Sequence, residues 1–414
     1  MYVSIDGADV LAGRLFAHAR HGTESATFTY DAGYLADPRG YALEPALPLT
    51  DGPHQTEPGL AMFRSFADTA PNRWGRRLLA RAERLRAERT GTTTRTLTEL
   101  TYLLGARDDL RHGALRFRDV TTGTWLAAGQ DAVPAVAALP DLLALATRAE
   151  RDDASWDDLS RLVRAGSSLG GARPKVHLVA PDGRVAIAKF PNSDSDTWNV
   201  MAWEKTVTDL ARLAGVTVPP TELVTVAGRQ VHVVDRFDRS GAARIGYISA
   251  LTMLEARDGD IGTYVELASA IERFSARATE DLRELWRRVA LSILVSNTDD
   301  HLRNHGFLHA HGDAWVLAPA FDLNPNPAAG PRHLATAIAD PDDTRASVEA
   351  LMRVAPLFRL AQDAALQALR KVCDATGQWR AVASRHGLTE HEIDAMAPAF
   401  EHAEREVARG AVGE

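Results

Sequence analysis

Ser167-Ser168-Leu169-Gly170-Gly171-Ala172-Arg173-Pro174-Lys175, then Val176-His177-Leu178-Val179, a Pro181-Asp182-Gly183 turn and Val185-Ala186-Ile187-Ala188-Lys189-Phe190 form the stretch on which the fold turns. A glycine-containing loop feeds an alternating strand, and a Pro-Asp-Gly corner between two alternating runs predicts a hairpin. Lys189 falls on the face of Val185 and Ile187, where its neighbours are apolar. An ammonium placed there needs a partner, because burying it unpaired is costly. Only four of the 47 basic side chains are lysine, and three of those lie between 175 and 205. Where arginine is the default cation, a lysine marks a place that calls for a compact point charge.

Toward the C-terminus, Val200, Trp203, Val207, Leu210 and Ala214 recur at helical spacing over 198–214, with Gly215 as the stop. Glu204 borders that apolar stripe and is the expected partner of Lys189. A second hairpin, Val224 and Val226 against Val231 and Val233, runs into Asp235-Arg236-Phe237-Asp238-Arg239 and a reversal at Ser240-Gly241. Thr279, with Glu280 and Asp281, is the expected start of a helix through Leu282, Leu285, Trp286, Val289 and Ile293. It ends at Asn297-Thr298-Asp299-Asp300-His301-Leu302-Arg303-Asn304. A short hairpin over 307–317 leads to Phe321-Asp322, and helices near 345–373 and 389–408 follow.

Toward the N-terminus, alternation over residues 3–30 predicts a small antiparallel sheet, followed by a loop from Pro38 to Pro58. Two helices are expected at 59–68 and 72–89, the second with Trp74, Leu78, Ala82 and Leu85 on one face. That helix also carries Arg73, Arg76, Arg77, Arg81, Arg84, Arg86 and Arg89. They read either as a solvated face paired with Glu83 and Glu88 or as a docking surface for an acidic partner or nucleic acid.

The 414 residues suggest two or three folding units, and 45% hydrophobic with 25% charged residues exclude disorder, collagen and coiled coil. No apolar run is long enough to span a membrane, and Asp6 and Asp9 sit where a signal peptide would be basic and then apolar. Cys373 is the only cysteine, which rules out an internal disulfide and a cysteine-built metal site; a cytoplasmic location is expected. A net charge of −8 argues against a generally polyanion-binding chain.

The order of parts is that of a kinase-like phosphotransferase: glycine loop, strand lysine, helix glutamate, hairpin, helix, Asp-x4-Asn loop, hairpin, Asp. In that scheme loop amides approach the phosphates, Lys189 neutralises them and Glu204 holds Lys189. Asp299 accepts the proton of the attacking hydroxyl, while Asn304 and Asp322 offer magnesium hard oxygen ligands. The expected architecture is α+β: a kinase-like bilobal fold with a small, mostly β N-lobe, an extra N-terminal subdomain and a helical C-lobe. The expected boundaries are 1–120, 121–240 and 241–414.

The motifs Ser168-Leu-Gly-Gly-Ala-Arg-Pro-Lys175, Ala188-Lys189-Phe-Pro191, Asp235-Arg-Phe-Asp-Arg239, Asn297–Asn304 and Phe321-Asp322 resemble the HipA family of kinase toxins in bacterial toxin–antitoxin systems. Pro71-Asn-Arg-Trp-Gly75 and Gly105-Ala-Arg-Asp-Asp109 resemble its N-terminal subdomain. The resemblance implies ATP- and Mg2+-dependent phosphorylation of serine or threonine, with an aminoacyl-tRNA synthetase among the possible targets. It also implies a HipB-like DNA-binding antitoxin, so that DNA is met only indirectly or weakly. The implied ATP site comprises Gly170, Gly171, Ala172, Arg173, Pro174, Lys175, Lys189, Asp235, Arg236, Phe237, His301, Asn304 and Asp322, and the implied autophosphorylation site is Ser168 or Ser167. The loop departs from the family pattern at Arg173-Pro174, where Gln-Glu is common, and Pro174 removes a backbone donor. Asp235 stands where glutamate is frequent.

Two further readings fail on context. Gly166-Ser167-Ser168-Leu169-Gly170 matches the G-x-S-x-G elbow, but an elbow needs a helix after the serine and here a strand follows. His301, His305, His309 and His311 crowd together, yet they span two faces of a strand and turn with no cysteine to complete a zinc site. A kinase-fold corepressor that has lost catalysis and a small-molecule kinase are the remaining alternatives.

Overall fold

The computed structural model describes residues 1–129, 132–166, 173–192 and 196–413. The chain divides into two units, one of Met1–Ser195, Thr225–Ile248 and His311–Asp313, the other of Asp196–Val224, Ser249–Ala310 and Ala314–Glu414. Among the described residues no helix is long and apolar enough to cross a membrane.

In the first unit, strands Gly13–Arg20 and Thr23–Tyr30 pair antiparallel as the alternation predicts, with Pro53–Gln55 on the edge. The expected helix at 59–68 shrinks to Arg64–Ala67, because Gly59 turns through a left-handed conformation at φ +87°. The next helix, α1 (Arg73–Thr90), forms as expected. Asn72 caps it by accepting the Gly75 N–H at 2.7 Å, and Gly91 ends it in the left-handed region. Trp74 and Leu78 are buried as the spacing requires, whereas Ala82 and Leu85, expected on the same face, are only half-buried.

The Pro-Asp-Gly corner joins β1 (Lys175–Val179) to β2 (Val185–Lys189), and β2 pairs with β3 (Arg229–Asp235). The burial pattern corrects one expectation. Ala186 and Ala188 pack into the core, whereas Val185 and Ile187 are only half-buried. Because alternate residues face opposite sides of a sheet, Lys189 shares the face of Val185 and Ile187, but unlike them it is itself buried. A clamp braces the end of β3. Buried Asp238 receives Arg236 through Nε at 2.8 Å, Arg239 at 2.8 Å and the Gly113 N–H at 2.7 Å, while Arg236 Nη1 reaches the Leu110 carbonyl at 2.6 Å.

In the second unit, α2 (Val200–Leu213) carries Trp203 into a cluster with Trp379 and Phe400, whose rings stack 4.6 Å apart. The central helix, α3 (Ala278–Leu294), buries Leu282, Leu285, Trp286, Val289 and Ile293 completely. Thr279 is not its cap: it lies inside the first turn, and its hydroxyl accepts from Arg359 at 2.6 Å. The continuous helix expected near 345–373 is broken by Pro356 and a left-handed Arg359, giving Val348–Val354 and Gln362–Gly377. The one expected near 389–408 is likewise two, Glu390–Phe400 and Ala403–Val412, with Pro398 just before the break.

Candidate active site

The catalytic-loop candidates are placed by the end of α3. Ser296 turns the chain out of the helix in a left-handed conformation (φ 54°), and the Asn297 N–H closes the turn on the Ser292 carbonyl at 2.8 Å. The segment that follows is pinned from the far side of the sequence. Asn324 N–H donates to Asn297 Oδ1 (3.3 Å), Asn326 Nδ2 to the Thr298 hydroxyl (3.0 Å), and the Thr336 hydroxyl to the Asp300 carbonyl (2.7 Å). A turn of 3-10 helix at Leu302–Asn304 then brings buried Asn304 back, where its Nδ2 donates to the Asp299 carbonyl at 3.0 Å.

The adjacent carboxylates of this loop have opposite situations. Asp300 is buried and accepts from the Tyr264 hydroxyl (2.6 Å) and the Ser292 hydroxyl (3.1 Å), with His305 Nε2 at 3.2 Å. These partners outweigh desolvation and hold its pKa below the usual carboxylate value. Asp299 is exposed by area, yet the surrounding protein desolvates its carboxylate enough to push the pKa up; His301 opposes the shift, while Asp322 and then Asp300 add to it. Asp299 and Asp322 therefore feel one another's charge. Asp322 adopts φ +61°, uncommon for a side-chain-bearing residue. Asn324 Nδ2 lies 3.4 Å from its Oδ1, and Asn324 Oδ1 and His301 Nδ1 are buried without a hydrogen-bond partner among the described residues.

In the first unit, Lys175 and Lys189 face each other directly across β1 and β2, and His232 stands opposite Lys189 on β3. All three are buried. Arg173 and Pro174 lead into this strand, and the Pro174 carbonyl accepts the Phe190 N–H at 2.9 Å. Of the implied ATP-site residues at the end of β3, Asp235 is ion-paired with Arg184, and Phe237 lies 6.2 Å from the rings of His112 and Tyr247. The Arg236 N–H is taken by the Val185 carbonyl at 3.0 Å and its guanidinium by the Asp238 clamp, so this side chain builds the segment rather than offering a donor to a nucleotide. Glu204 is buried on α2 in the second unit. Ser167, Ser168, Gly170, Gly171 and Ala172 lie outside the described residues.

The structure thus gathers Asp299, His301, Asn304 and Asp322 in one unit, and Lys175 and Lys189 in the other. Sequence reasoning missed Asn324 and Asn297. The Asp322-Leu323-Asn324 spacing was the available signal: an amide two residues beyond a left-handed aspartate can serve the same site.

Comparison with known proteins agrees with this geometry. Residues 167–380 match the HipA-like C-terminal domain and residues 3–101 the HipA N-terminal domain. The chain belongs to the HipA family. It is 28% identical over 183 residues to a candidate kinase of Haemophilus influenzae, covering 38% of this chain and 52% of that one. It is 29% identical over 184 residues to a candidate kinase of Sinorhizobium fredii, covering 38% and 41%. These matches span about half the length of the curated relatives. Among solved structures, HipA from the Shewanella oneidensis MR-1 toxin–antitoxin complex of HipA, HipB and operator DNA matches with a TM-score of 0.63 at 14% identity, over 100% of this chain and 96% of that one. The chain accordingly has a kinase-like fold of mixed α and β structure.

Proposed function

We propose that this chain is an ATP- and Mg2+-dependent serine/threonine protein kinase that acts as the toxin of a toxin–antitoxin pair and arrests growth by phosphorylating a translation-related protein. One observation carries the reading: beside a buried, structural Asp300 stands an exposed Asp299 with a raised pKa, next to a left-handed Asp322 and above Asn304. A paired acidic site with one carboxylate free to take a proton is what a phosphoryl-transfer loop needs.

The donor set fits magnesium. Asp299 and Asp322 repel one another, and Asn324 Oδ1 is a buried oxygen acceptor without a donor among the described residues; a hard cation relieves both conditions. When bound, Mg-ATP supplies the electrophilic γ-phosphoryl group with its charge partly neutralised. Asp299 takes the proton of the attacking hydroxyl at its carboxylate, Asn304 and Asp322 hold the metal, and Lys175 and Lys189 hold the phosphates. Glu204 is assigned to steady Lys189, and Arg173, Pro174, Asp235, Phe237 and His301 to border the nucleotide. A HipB-like DNA-binding protein is the partner this reading assigns, by likeness to the Shewanella complex. Phosphoproteomics of cells expressing wild type or Asp299→Asn tests the reading. Wild type should halt growth and phosphorylate a small set of serines or threonines, and Asp299→Asn should do neither. Growth arrest by Asp299→Asn equal to wild type would refute it.

A further inference from the structure

Six of the seven arginines of α1 separate into two groups, with exposed Arg73 outside both. Arg76 pairs with Glu99, Arg81 with Asp152 at 2.8 Å, Arg86 with Glu83 at 2.8 Å, and Arg89 lies 5.1 Å over the Trp156 ring. Arg77 and Arg84 have no partner among the described residues, and both are exposed. These two, with Arg81 between them in sequence, line a cavity of about 400 Å³ together with Arg95, Trp74 and Leu78. The spacing 77-81-84 keeps all three on one helix face, and Arg77 and Arg84 stand about 10 Å apart along the axis.

Among the described residues, the charges around this cavity do not balance. Glu83 serves two guanidiniums, Arg86 and Arg95 (2.9 Å), so that pair of arginines keeps one positive charge in excess. Glu150 faces the cavity but already accepts from Trp74 Nε1 at 2.8 Å and Asn192 Nδ2 at 3.0 Å. With the charges of Arg77 and Arg84 added and that of Glu150 subtracted, the described residues leave an excess of about two positive charges.

We propose that this cavity binds a small phosphate monoester, its dianionic phosphoryl group held between Arg77 and Arg84. Guanidinium forks match phosphate oxygens in pairs, which a lysine cluster does not. The volume lies in the range of small-molecule pockets with an apolar floor and a few converging polar groups. A nucleic acid strand would instead follow an open, continuous basic groove, and the net charge of −8 argues against general polyanion binding. Every residue used belongs to the first unit, and none belongs to the proposed phosphotransfer machinery.

Calorimetric titration of the full chain tests this with inorganic phosphate, uridine 5′-monophosphate and a phosphoserine peptide, in a Lys189→Ala background that removes the proposed nucleotide site. Uridine monophosphate should bind saturably with a dissociation constant below about 1 mM, and inorganic phosphate more weakly. Arg77→Ala and Arg84→Ala should each weaken binding about tenfold, as expected for loss of a charge-assisted hydrogen bond. Arg73→Ala, on the same helix but outside the cavity, should leave it unchanged. Affinity should fall as pH drops through about 6, where the monoester loses its second charge, whereas sulfate should show no such dependence. Thermal midpoints equal to the parent confirm that the exposed substitutions leave the fold intact. Absence of saturable binding at about 10 mM ligand, binding indifferent to Arg77 and Arg84, or tighter binding of the phosphoserine peptide than of uridine monophosphate would each overturn the assignment.

Discussion

Asp299 and Asp300 are chemically identical neighbours, and the structure assigns them separable roles. Replacing Asp300 by alanine removes the acceptor shared by the Tyr264 and Ser292 hydroxyls, a carboxylate that also lies 3.2 Å from His305 Nε2; all three side chains are buried around it. Hydrogen bonds to a charged group contribute about 1.5–3 kcal/mol each, and breaking a buried charged network by deleting one member costs about 3–5 kcal/mol. At roughly 2–4 °C per kcal/mol for a unit of this size, the thermal midpoint should fall by about 6–20 °C. Asp299→Asn should behave in the opposite way. Its folded-state pKa is raised, so the fold penalises its charge, and removing that charge should leave the midpoint unchanged or higher. Phosphoryl transfer should nevertheless drop by about 100-fold or more, the usual contribution of a positioned general base. The pH dependence has a definite sign. The Asp300 pKa is lowered, so its stabilisation is complete above the ordinary carboxylate value of about 4 and disappears as pH falls through the folded-state value. Scanning calorimetry at pH 7 and below pH 4 should show the gap between wild type and Asp300→Ala closing in acid. The assignment is falsified if Asp300→Ala melts within about 1 °C of wild type at pH 7, a gap smaller than even one lost hydrogen bond would open. Transfer by Asp299→Asn within about tenfold of wild type would remove Asp299 as the base.

Other consequences are testable independently. Lys189→Ala and Asp322→Ala should each weaken Mg-ATP binding in calorimetry, and Lys189→Arg should not restore it, because a planar fork does not replace a point charge in a closed site. His112, buried and stacked 3.7 Å from Tyr247, has its pKa lowered to about 3 by burial. Its contribution is therefore complete above the unfolded value of about 6.5 and is lost as pH falls toward the folded value; wild type should lose stability over that window and His112→Phe should lose less. Ser168 or Ser167 should gain a phosphoryl group when wild type is incubated with Mg-ATP, and Asp299→Asn should not. Intact mass unchanged in wild type would end that proposal.

The sequence by itself determined the elements that depend on neighbours along the chain. The Pro181-Asp182-Gly183 hairpin, the Asn72 start of α1, the Gly215 stop and the fully buried stripe of α3 follow from local turn chemistry and periodicity, and the structure contains each of them. It also ordered the candidate site residues. Tertiary structure alone decided what distinguishes like residues. Two adjacent aspartates became an anchor and an exposed acid because Tyr264 and His305 arrive from outside the motif. On the one arginine-rich helix, Arg76 and Arg81 became paired braces while Arg77 and Arg84 stayed cations at the cavity, unpaired among the described residues, because Glu99 and Asp152 lie beyond that helix. Local patterns encode backbone preference and the face a residue takes, whereas the charge and burial of a group depend on what the folded chain brings beside it.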